Sequence, residues 1–105
     1  MVDKVGGIAT DTRNKVDELL KNSPGDQALK NCVDKYNVVL QTNVPQASTA
    51  INQGNPNMAA QLMNDVGAKA DSCETGFPSR SPVIDMNKSV LDMAAVAAAM
   101  AMTTH

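Results

Sequence analysis

The stretch LKNCVDKYNVVLQTNVPQASTAINQGNPNMAAQLMNDVGAKADSCETGF, Leu29 to Phe77, decides how the chain folds. Apolar residues recur at Leu29, Cys32, Val33, Tyr36, Val39, Leu40, Val44, Ala47 and Ile51. They recur again at Ala59, Leu62, Met63, Val66, Ala70 and Cys73, which is the spacing of one buried stripe on each of two helices. Between the stripes, Gly54 suits the left-handed position past a helix end, Asn55 an N-cap, and Pro56 the first residue of the next helix. Three consecutive residues therefore predict one sharp reversal.

The cysteines bear on how the two arms meet. Cys32 lies about 22 residues before Gly54 and Cys73 about 19 after it, so at roughly 1.5 Å per residue both sulfurs reach nearly the same height. A disulfide is geometrically feasible; two buried free thiols or reactive thiol chemistry are the alternatives. The closed loop of about 42 residues is worth about 4 kcal/mol in the chain-entropy model. A disulfide would place the protein in an oxidising location. The separation excludes a CxxC redox motif, and with His105 the sole histidine no zinc ligand set assembles.

Outward from this hairpin the same periodicity predicts two more helices. Val5, Ile8, Ala9, Thr12, Val16, Leu19 and Leu20 share a face of a first helix over 3–22, whose Gly6-Gly7 pair weakens the opening turns or lets another backbone come close. Ser23-Pro24-Gly25-Asp26 is a turn in which either Ser23 or Asp26 caps the next helix. That helix covers 27–53, with a kink or brief break near Thr42 to Val44, because Pro45 lacks a donor and crowds the carbonyl of Gln41. A third helix covers 56–75, and a loop from Phe77 to Ile84 is anchored by the lone phenylalanine. A fourth helix covers 85–102, and from Met93 to Met102 it has no polar face. Another element covers that side, the chain self-associates as a homodimer, or small alanines leave a mild apolar surface. The expectation is an all-α, antiparallel up-and-down four-helix bundle forming one domain over 1–105.

Composition excludes several functions. There is one Tyr, one Phe and no Trp, and the net charge is -2 without a basic cluster, so neither phosphate binding nor base stacking with nucleic acid is supported. The Met93 to Met102 run is about half the length that spans a bilayer. No catalytic residues, metal ligands or cofactor-binding motif can be assembled, and Asp17-Glu18 and Asp71 with Glu74 read as solvated carboxylates. Asn87-Lys88-Ser89 matches the N-glycosylation sequon, in keeping with secretion. The residues point to a bundle that acts by binding.

The segment Ala28-Leu29-Lys30-Asn31-Cys32 with Tyr36 resembles the opening of the long second helix in the plant invertase and pectin methylesterase inhibitor family. Val44-Pro45-Gln46-Ala47, Gly54-Asn55-Pro56-Asn57-Met58-Ala59, Asp71-Ser72-Cys73-Glu74-Thr75-Gly76-Phe77 and Ser81-Pro82 continue the match in order. The resemblance implies a four-helix bundle with Cys32 joined to Cys73. It implies secretion to the apoplast or cell wall, or delivery to the vacuole, and a partner that is an acid invertase or, alternatively, a pectin methylesterase. Family members usually begin with a signal peptide and a helical hairpin; the sequence from Met1 reads as neither. The invertase branch carries Pro-Lys-Phe at the turn, entering the enzyme's sugar-binding cleft. Here Pro56-Asn57-Met58 stands at those positions, so a charge-assisted bond from lysine is replaced by neutral ones about half as strong. Gly54, Asn55, Pro56, Asn57 and Met58 are the implied target-binding residues. The competing reading is a non-inhibitory, self-associating protein of this fold, such as a pollen or storage-tissue protein.

Overall fold

Helix α1 spans Val2–Asn22, α2 Gln27–Val38, α3 Val44–Asn52, α4 Pro56–Thr75 and α5 Ile84–Thr103, and a π-helical turn at Val39–Asn43 links α2 to α3. The computed structural model describes residues 2–103; Met1 and His105 lie outside the described residues. Backbone angles stay right-handed helical at Val39, Asn43 and Val44, so α2, the π turn and α3 form one rod. The four rods alternate in direction and make an antiparallel bundle of 45 × 21 × 16 Å.

Each rod follows from local chemistry. In α1, Val5, Ala9, Thr12 and Val16 are fully buried, and the Thr12 hydroxyl donates to Ile8 O at 2.8 Å, so the stripe holds no unsatisfied hydroxyl. Asp3 in its first turn and Lys21 in its last complement the helix dipole. Gly6 sits where α1 meets the second rod: an added Cβ would lie 3.3 Å from Val44 Cγ1. Between Ser23 and Asp26, the structure chooses Asp26, whose carboxylate accepts from Leu29 N at 3.2 Å.

The second rod differs from the helix expected over 27–53. Pro45 produces no break near Thr42 to Val44; instead the rod widens just before it, with Val44 N donating five residues back to Val39 O. A wider turn carries the preceding carbonyls away from the proline ring, which keeps the rod continuous. The widened turn also turns Asn43 into the core, where its Nδ2 donates to Leu62 O at 3.1 Å and to Asp65 Oδ2 at 2.9 Å on α4. Near the rod's end Ala50 rather than Ile51 is buried. Ile51 lies 47% exposed, beside a groove shared with Val2 and Asp3 of α1.

Small residues bring α4 and α5 together. Gly67, Ala70, Ala94, Ala97, Ala98 and Ala101 are all buried, and a Cβ at Gly67 would come within 3.0 Å of Leu91 Cδ1. The opposite side of α5 is open, with Val96 at 47% and Met102 at 44% exposure. A disulfide joins Cys32 of α2 to Cys73 of α4, with Cα atoms 4.7 Å apart, and there are no free cysteines. Phe77 packs against the core and holds the loop before α5, as the sequence indicated.

Candidate functional site

The reversal between α3 and α4 is built from backbone hydrogen bonds. Asn55 N donates to Ala50 O at 2.8 Å and Gly54 N to Ile51 O at 3.1 Å, the paired bonds of a Schellman motif that satisfy carbonyls left over at the end of α3. Gly54 has φ 74° and is the one residue at positive φ among the described residues, which is where a side chain would strain the backbone. Asn55 then serves α4 as its N-cap, its Oδ1 accepting from Met58 N at 3.2 Å, and Pro56 occupies the first turn, where a missing N–H leaves nothing unpaired. The five residues sit at one end of the long axis. Gly54, Asn55, Asn57 and Met58 are exposed and Pro56 is half-buried.

Beside the turn runs an open groove of about 360 Å³, lined by Pro45, Gln46, Thr49, Ala50, Gln53 and Met58. Met58, half exposed, is the largest apolar side chain on its rim. The structure thus brings all five sequence-identified residues into one projection and adds one wall of α3 to it. Sequence reading had the turn but not the wall, because Gln46, Thr49 and Gln53 are unremarkable until α3 is placed against α4. Their spacing of three to four residues was the available signal.

A second polar construction lies near the other end. The buried Tyr36 hydroxyl donates to Asn87 Oδ1 at 2.6 Å, and Asn87 Nδ2 donates to Glu74 Oε1 at 3.0 Å and weakly to Cys73 Sγ at 3.2 Å. Glu74 also accepts from Ser81 Oγ at 2.6 Å and from Ser81 N at 3.2 Å, so one carboxylate fastens α4 to the loop and to α5. Burial opposes its charge, but the bonds from Ser81 and Asn87, with the charge of Arg80, hold it below the ordinary 4.5. Burial and then the Glu74 charge push the Tyr36 phenol above its ordinary 10.0. Glu74 was read as solvated, which the structure corrects, and the Asn87 sequon left glycosylation open. Asn87 is 3% exposed with its amide engaged, so a glycan on Nδ2 has no room in the folded chain. The cluster is a structural fastening, its hydrogen-bonding groups spent on one another, and a small open groove of about 110 Å³ between α4 and α5 runs past Glu74 and Asn87.

Among the described residues no group of three or more His, Cys, Asp or Glu side chains is placed to hold a metal ion, and no helix is long and apolar enough to cross a membrane.

Comparison with known proteins agrees with this architecture. The family described as plant invertase/pectin methylesterase inhibitor matches residues 1–100. The "Cell wall / vacuolar inhibitor of fructosidase 1" of Arabidopsis thaliana is 35% identical over 91 residues, covering 86% of this chain and 44% of that protein. The chain therefore spans less than half the length of that relative. With the family match running from one end of the bundle to the other, the chain belongs to the plant invertase/pectin methylesterase inhibitor family.

Proposed function

We propose that the chain is an inhibitor acting in the plant cell wall or vacuole, and that it blocks an acid invertase by seating Gly54 to Met58 in the enzyme's substrate cleft. The carrying observation is the 35% identity to a fructosidase inhibitor over 86% of the chain. The α3–α4 turn fits the role because its backbone is fixed before binding, so little conformational entropy remains to be lost on docking. Seating in the cleft makes inhibition competitive: the apparent KM for sucrose rises and kcat holds. Titration of acid invertase with the oxidised chain at micromolar concentration tests this. Unchanged sucrose hydrolysis would refute it.

The family description equally names pectin methylesterase, and the same titration run on that enzyme separates the targets. Exposed Leu91, Val96 and Met102 on α5 support a second reading, self-association along that helix. Sedimentation of a dilution series checks it, a constant monomer mass counting against it.

A further inference from the structure

No residue between Lys35 and Asp65 carries a formal charge, although the chain has 9 basic and 11 acidic residues. The span includes the end of α2, the π turn, all of α3, the reversal and the first half of α4. Folding back at Gly54 brings the exposed side chains of its middle part, those of the reversal and of the adjoining turns of α3 and α4, together at one end of the bundle. Exposed Gln46, Thr49 and Gln53 line the groove together with Pro45, Ala50 and Met58, and exposed Asn57 and Gln61 follow on the uncharged first half of α4. Of the charges that border this face, Asp65 pairs with Lys69 at 2.6 Å and also feels the charge of Lys35, and Asp3 lies on the α1 side of α3 with Ser48 and Asn52.

We propose that this face recognises its partner through neutral hydrogen bonds and apolar contact, and that it fits an uncharged, hydroxyl- and amide-lined wall of the target's substrate cleft. The inference rests on the inhibitor reading and adds the chemistry of the contact. Each side-chain amide offers both donors and an acceptor, so it pairs with hydroxyl, amide or backbone groups without a charge on either side. A charged partner surface pressed against this face would lose hydration and gain no counter-charge, which selects against it. Without steering, association runs at the unsteered rate of about 10⁵ to 10⁶ M⁻¹s⁻¹.

The test measures the inhibition constant of the whole chain on acid invertase and pectin methylesterase from about 20 mM to about 500 mM NaCl, normalised to the uninhibited enzyme at each salt. The expected constant stays within about twofold across the series, because salt has no cross-interface charge pair to screen. Gln53→Glu weakens inhibition by about fivefold or more at low salt, while Lys15→Glu on the distant face of α1 leaves it unchanged. A larger salt dependence of the unmodified chain, or equal effects of the two substitutions, overturns the neutral contact and leaves the inhibitor reading standing. Absence of inhibition of both enzymes at the lowest salt overturns the two together.

Discussion

The two ends of the bundle are secured by different means. At the Cys32–Cys73 end, a covalent bond and a carboxylate with three donors tie α2, α4 and α5 together through side chains. At the Gly54 end, the chain reverses on main-chain bonds, and of its side chains only the Asn55 carboxamide is committed to the fold. Fastening through side chains consumes the groups that could meet a partner, whereas fastening through the backbone leaves them available. The lesson is a division of labour: one end is held by its side chains, while the other is stiffened by its backbone and keeps its side chains chemically uncommitted.

The largest effect expected on this contrast comes from removing the disulfide. Cys32→Ser with Cys73→Ser lowers unfolding free energy by about 4 kcal/mol, read from urea denaturation with the oxidised chain as reference. If the ends are independent, hydrogen exchange at Gly54 and Asn55 changes only as far as global stability does. Asn87→Ala comes next: it strands the Tyr36 hydroxyl and takes a donor from Glu74, for about 2 to 3 kcal/mol, checked by thermal unfolding.

Acid acts on the same end. The Glu74 carboxyl is held lower in the folded chain than in the unfolded one, so its contribution is complete above the unfolded value near 4.5 and is lost as pH falls through the folded value. Urea midpoints measured from about pH 6 down to about pH 3 should drop, and Glu74→Gln should flatten that drop. An identical acid limb in the variant would show the fastening to be inert.

At the other end the stability effects are smaller. Gly54→Ala, forced to φ 74°, costs about 1 kcal/mol and displaces the turn, so inhibition weakens along with stability. Asn57→Ala changes stability by less than about 0.5 kcal/mol yet weakens inhibition, a separation that no substitution at the disulfide end should reproduce.

The turn was legible in the sequence because its determinants are local. Gly54, Asn55 and Pro56 each act on their own backbone or on one a few residues away, so no knowledge of distant packing is needed. The disulfide was legible as geometry, since two helices of nearly equal length return their cysteines to one height. Pro45 announced a disturbance but not its form. The choice between a break and a widened turn depends on Asn43 finding Leu62 O and Asp65, partners on another rod. Glu74 misled for the same reason, since a carboxylate among polar neighbours looks solvent-facing until α5 docks, and the burial of Asn87 was illegible on the same ground. The neutral wall of α3 was hidden by its composition, because what marks it is the charge it lacks.

The burial of Asn87 has a consequence for biogenesis. Oligosaccharide transfer to the Asn87-Lys88-Ser89 tripeptide would meet a nascent polypeptide before α5 has docked, and a sugar placed there could never be tucked beneath the loop. A sugar on the Asn87 amide and the docked α5 are thus mutually exclusive, because each claims the same nitrogen.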